Sequence, residues 1–216
     1  MQLICIFQRK VLFLQQIYKN IIMIKSTNKI IQALNYLACK KANKTLGFKR
    51  AFKLLWLIDR YSLRHYTQSV TGDTYYAMPY GPVPTDAKSL LENEETHLSN
   101  IPEYQSEYIR PDIVHHIFTS VKSPDMDIFS ESDIECMDKV WETYKKIPTP
   151  DLVSMSHEFP EWKAYEKDIN EGEKKSYLID TDLFFDAQYR DEHHFFDEKP
   201  EILALARETY NEFKSF

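Results

Sequence analysis

Residues 48–66 read FKRAFKLLWLIDRYSLRHY, and their spacing decides how the rest of the chain is arranged. Phe48, Phe52, Leu55 and Ile58 recur on one face of a helix, and Leu54, Trp56 and Leu57 widen that face. A helix apolar over so much of its girth belongs at the centre of a core. Asp59 follows Leu55 by four positions and Phe52 by seven, which sets a carboxylate on or beside the buried face. Such a group needs a partner, because an unpaired buried charge is costly or is neutralised by a pKa shift. Arg60, Arg64 and His65 are the nearby cations, and the amides of the YGPVP turn at 80–84 are another candidate. Asp59 reads either as a catalytic acid or base or as a structural hydrogen-bond acceptor, and the acceptor is the expectation.

Downstream, Thr71-Gly72-Asp73 marks a turn, and Thr74 to Tyr80 reads as a short aromatic β segment. Pro79, Pro82 and Pro84 remove backbone donors, so no central strand continues beyond Met78. Pro84 suits the first turn of a helix through DAKSLLEN. The stretch YYAMPYGPVP is thus expected to be a strand, then a stiff turn, then a helix start. Upstream, Ser26, Thr27 or Asn28 caps a helix carrying Ile30, Ile31, Leu34, Leu37 and Ala38.

Residues 92–112 are acidic and read as a loop, and 115–121 as a strand antiparallel to the first. The paired His115 and His116 would point to opposite faces of that strand and do not read as metal ligands. Ser130 with Asp133 forms an aspartate variant of the capping box, and Phe129 with Ile134 stands at the staple positions. Ile134, Met137, Val140, Trp141 and Tyr144 form the buried stripe of that helix. Thr149-Pro150-Asp151 caps the next helix, and Pro160 ends it or starts the following turn. SHEFPEW is not an HExxH zinc motif, since Glu161 stands where the second histidine would be. Ser156, His157 and Glu158 are consecutive, so they do not face one another as a triad. His157 reads as a cap or buttress. RDEHHFFDE, near the end of the chain, has donor groups but no specific ligand spacing.

Hydrophobic residues make up 43% and charged residues 28% of the 216 residues, as in a folded globular domain. The four glycines, Gly47, Gly72, Gly81 and Gly172, are far apart, which excludes a glycine-rich phosphate loop. Cys5, Cys39 and Cys136 form no zinc or disulfide pattern and read as free thiols of a reducing cytoplasm. No apolar run is long enough to span a membrane. Residues 1–70 hold 13 Lys/Arg against the single acid Asp59, whereas 71–216 hold 14 against 32 Asp/Glu. The two parts are expected to pair with each other, and overall acidity argues against nucleic acid as the partner. Residues 1–22 read as an N-terminal extension: either it lies upstream of a true start at Met23, or it is a basic amphipathic helix packing on the domain or a partner.

Three blocks together resemble the Panacea antitoxin domain family. The first is KLLWLIDRYSLRHYTQSVTGDTYYAMPYGPVPTDAKSLL (53–91), with Asp59-Arg60, Thr71-Gly72-Asp73 and Tyr80-Gly81-Pro82-Val83-Pro84. The others are FSESDIECMDKVWETY (129–144) and SHEFPEW (156–162). The resemblance implies an α+β fold, predominantly α-helical, in which a compact helical domain carries a small antiparallel β element. The resemblance covers about 26–166, which sets a domain over 23–170; outside it, 171–216 are expected to form an acidic extension whose final helix packs on the domain. It further implies an antitoxin that binds and neutralises a cognate toxin, or, as in SocA-like members, delivers the toxin to a protease. It carries over no catalytic residue, cofactor or metal. The residues expected to bind the partner or to build the signature are Asp59, Arg60, Asp73, Tyr76, Tyr80, Gly81, Pro82, Val83, His157 and Trp162. The rival readings are a hydrolase using Asp59, Asp73 or His157, and a nucleic-acid module using the basic first 70 residues.

Overall fold

The computed structural model describes residues 26–92, 101–186 and 195–214. Its axis is the helix α2 (Phe48–Tyr66), nearly all of whose residues are buried, including Lys53, Asp59, Arg60 and Arg64. The helix ends where Thr67 turns left-handed, φ 56°, and its N–H bonds the Leu63 carbonyl. Residues 26–39 form α1, which places Ile30, Ile31, Leu34 and Leu37 in the same core as Leu54, Leu55 and Trp56. The helix α5 (Glu131–Tyr144) packs along α2. Its capping box is made as read: Ser130 Oγ accepts the Asp133 N–H, and the Asp133 carboxylate accepts the Ser130 N–H. Arg50 of α2 closes the other end of α5, donating to the carbonyls of Tyr144, Lys145 and Ile147.

Two three-stranded antiparallel sheets flank this helical core. One has the order β1 (Thr45–Gly47), β5 (Ile117–Ser120), β4 (Ile109–Asp112). The other has the order β3 (Gly81–Pro84), β2 (Tyr75–Met78), β6 (Tyr177–Leu178). The α+β, mainly helical reading holds, but three local expectations change. Gly81–Pro84 is not a turn but a strand, pairing Tyr75 with Pro84 and Met78 with Gly81, so that Pro79-Tyr80 alone makes the hairpin turn. Pro82 and Pro84 are tolerated because β3 is the edge of its sheet. The 115–121 segment joins the other sheet, because both sides of β2 are already filled by β3 and β6; His116 sits in the preceding turn with φ 51°. The 92–112 stretch holds α4 (Ile101–Tyr108) and β4, since Ile101, Gln105 and Tyr108 repeat at helical spacing and turn inward.

Pro84 is the N-cap of α3 (Thr85–Leu91), one position before the first turn in which it was expected. Likewise Pro148 caps α6 (Thr149–Ser156), with Pro150 inside its first turn. Pro160 opens the short helix α7 (Pro160–Lys163), and α8 (Glu166–Glu171) follows. A 3₁₀ segment, Thr181–Phe185, and the last helix α9 (Pro200–Lys214) both pack on α2. Among the described residues no helix is long and apolar enough to cross a membrane, and no group of three or more His, Cys, Asp and Glu could hold a metal ion. Residues 1–22 and the RDEHH part, 190–194, of the RDEHHFFDE stretch lie outside the described residues.

Candidate functional site

Two of the three sequence blocks, 53–91 and 156–162, converge where α2 meets the β2–β3 hairpin, while 129–144 packs along α2 as α5. Asp59 is fully buried, and none of the partners expected for it is the one it takes. Its Oδ1 accepts the Thr71 N–H at 2.9 Å, while Oδ2 accepts the hydroxyls of Thr71 and, at 2.7 Å, Tyr75. The TGD turn therefore wraps the carboxylate, and Arg60 and Arg64, diverging along the helix, go elsewhere. Burial pushes the Asp59 carboxyl up, and the Thr71 donors oppose that. Asp73 also accepts backbone donors, from Asp86 and Ala87 at 2.9 Å each, and so ties the turn to the start of α3. Burial lifts its carboxyl to about 7.

Arg60 forms a fully buried ion pair with Glu161 and donates to the Phe184 carbonyl at 2.9 Å. Its guanidinium lies over the rings of Phe159, 5.1 Å, and Phe196, 4.9 Å. One turn on, Arg64 grips the last part of the chain: Glu198 Oε2 at 2.6 Å, and the carbonyls of Phe184, Asp186 and Phe196. His65 reaches Glu198 Oε1 at 3.0 Å. With Lys29 on Asp133 and Lys40 on Asp138, these pairs carry out the charge pairing read from the two halves of the sequence.

The hairpin is pinned from beneath. Lys53 donates its Nζ to the Pro82 carbonyl at 2.7 Å; burial, and then the nearby charge of Lys49, lower its pKa to about 7. Gly81 has φ +90° and lies directly on this amine: a Cβ there would fall on Ser156 Oγ and within 3.0 Å of Lys53 Nζ. Ser156 Oγ donates to Val153 O at 2.7 Å. Trp162 donates its indole N–H to the Met78 carbonyl at 2.8 Å, and His157 stacks on Trp162 at 4.0 Å between ring centres. Phe159 meets Trp56 edge-on at 4.7 Å. SHEFPEW is thus a clamp between α2 and the hairpin.

The ten residues singled out from the sequence therefore divide. Asp59, Arg60, Gly81, Pro82, Val83 and Trp162 are buried, and Asp73 and His157 are half-buried. Tyr76 is half-buried on β2, and Tyr80 alone stands out, 60% exposed at the hairpin tip, with Lys49 Nζ 4.1 Å from its ring centre. Asp59 and Asp73 border a cavity of about 540 Å³, also walled by Tyr75, Leu178, Tyr210 and Lys214, but His157 is not among its lining residues. Both carboxylates spend their oxygens on internal donors, so the three side chains of the hydrolase reading do not meet. Lys53 and Glu198 were missed, and Arg64 and Glu161 were named without the roles they have here. Only Lys53 carried a local signal, being a charge set among Phe52, Leu54 and Leu55; the others declare themselves through contacts 101 to 134 residues away.

No curated protein and no solved structure matches this chain. The model of the family described as antitoxin SocA-like, Panacea domain, matches residues 52–163, from the core of α2 through the SHEFPEW clamp, and the chain belongs to that family.

Proposed function

We propose that this protein is the antitoxin of a toxin–antitoxin pair, acting in the cytoplasm by direct contact with its cognate toxin through the tip of the β2–β3 hairpin. The observation that carries the reading is Tyr80. It is an exposed aromatic on a two-residue turn whose underside is fixed by Lys53, Gly81 and Trp162. A contact held rigid before binding loses little entropy on association, and aromatic side chains are favoured interface anchors. Tyr76 and His157, both half-buried, are assigned to the same surface, and the buried Asp59, Arg60, Pro82 and Val83 with the half-buried Asp73 support it. In this reading no residue makes or breaks a bond.

Co-expression with the toxin encoded beside its gene tests the proposal. Wild-type protein should restore growth and co-purify with the toxin. Tyr80→Ala, at an exposed position, should fold normally and lose both. Rescue that leaves no complex and requires a cellular protease would favour an adaptor role. No rescue from a proven toxic neighbour would overturn the reading for that pair.

A further inference from the structure

Two hairpin turns stand at the amino-terminal end of α2. One is the β2–β3 tip, where Lys49 Nζ lies 4.1 Å from the centre of the Tyr80 ring. The other joins β4 to β5 and is tied to the neighbouring residue. The Phe48 N–H donates to the His116 carbonyl at 2.9 Å, and the two rings meet edge-on at 5.9 Å. Adjacent residues of a helix point about 100° apart, so the two turns flank the start of α2 on different sides. The β4–β5 turn carries Ile113, 41% exposed, and Val114, 84% exposed, where glycine, asparagine or aspartate is the usual choice. It is nonetheless braced. The His115 N–H donates to Asp112 Oδ1 at 3.1 Å, its ring Nδ1 pairs with Oδ2 at 2.7 Å, and His116 is left-handed at φ 51°. A left-handed histidine costs stability and a valine in water returns none; both make sense when another surface covers the turn.

We infer that Ile113 and Val114 are a second contact with the toxin, forming with Tyr80 one docking face across the start of α2. This rests on the antitoxin reading above and widens its contact from one tip to a face. An interface of ordinary size covers about 800 Å² on each partner, enough to take in both turns. The charges at this end say what the partner offers. Lys49 is exposed, and the end of α5 held by Arg50 brings the exposed Lys146 to the same place. Helix α2 opens at Gly47 with no side-chain cap and no acid in its first turn, so its positive end adds to these cations. Of the acids at this end, Asp112 is taken by His115 and Glu142 by Lys145, while Asp151 lies in the first turn of α6. The complementary toxin surface is an apolar recess rimmed by carboxylates. A second copy suits the face less well, because it would set Lys49 and the positive helix ends against their like.

Calorimetric titration of the purified full chain with the toxin encoded beside its gene tests this. Val114→Glu should weaken binding about tenfold or more, and Val114→Lys by clearly less. Lys49→Glu should also weaken it and reduce its dependence on salt. Leu205→Glu, 61% exposed on α9, is the control and should bind as wild type does. Should Val114→Glu lower the unfolding midpoint, Val114→Asn, a residue that suits a turn, decides by the same comparison. Binding by folded Val114 variants within about twofold of wild type, where Tyr80→Ala has lost it, would overturn this inference and leave the hairpin reading standing. Val114→Lys binding more weakly than Val114→Glu would overturn it, and so would an equal loss from Leu205→Glu. Neutralisation of the toxin without any complex would overturn both readings.

Discussion

Replacing Lys53 by methionine removes a buried amine while keeping most of its volume. In the folded protein the amine has a pKa of about 7 against an ordinary 10.5, so folding strips a proton from it over most of that interval. At roughly 1.4 kcal/mol per pH unit, this costs the native state about 4 kcal/mol near pH 7.5 and close to nothing above pH 10.5. The sign follows: between about 7 and 10.5 the unfolded chain binds more protons than the folded one, and stability rises with pH. Lys53→Met abolishes that slope. It also deletes the 2.7 Å bond and leaves the Pro82 carbonyl without its donor, a loss of about 2 kcal/mol at every pH. The variant should be more stable than wild type by about 2 kcal/mol near pH 7.5 and less stable by about 2 kcal/mol above pH 10, the curves crossing near pH 9. Urea unfolding of both proteins from pH 7 to 10 measures this. Parallel curves, or a wild-type stability flat across the range, would refute a deprotonated lysine beneath the hairpin.

Gly81→Ala should destabilise by about 3–5 kcal/mol in denaturant unfolding, combining the positive φ with a methyl group driven into Ser156 and Lys53. Glu161→Gln strands the Arg60 charge in the core and should cost about 3–5 kcal/mol. Arg60→Met with Glu161→Leu should recover most of that, which a three-variant comparison of unfolding midpoints reads directly. Burial pushes the Glu198 carboxyl up, but His65 and Arg64 outweigh it and hold the group at about 2. Its stabilisation is therefore complete above pH 4.5 and lost as pH falls toward 2; Glu198→Gln should flatten that part of the acid-unfolding curve by about 2 kcal/mol.

What could be read from the sequence was whatever is decided within about one helical turn. The apolar girth of α2, the Ser130–Asp133 box and the end of β2 at Pro79 are local matters, and they stand. The sheets were harder. Nothing within 115–121 says that β1 and β4 are its neighbours, because strand partners are chosen by the geometry of the whole core. The stretch Gly81–Pro84 reads as a turn since proline is rare in strands, and only its place at a sheet edge makes it one. Asp59 could be placed at the core from its spacing, but its choice of Thr71 over Arg60 depends on how the TGD turn folds back. Tyr80, named among several tyrosines, emerged as the exposed one only when the pairing of Met78 with Gly81 set it at the tip.

The central claim is that this protein acts by offering a shape to its toxin. Titrating purified protein into a fixed amount of active toxin tests it most directly. Toxin activity should fall linearly to an end point at a fixed whole-number ratio, with both proteins intact in the complex, and the Tyr80→Ala protein should shift or abolish that end point. Loss of toxin activity at far less than one antitoxin per toxin, continuing with time, would mean turnover and would contradict the account.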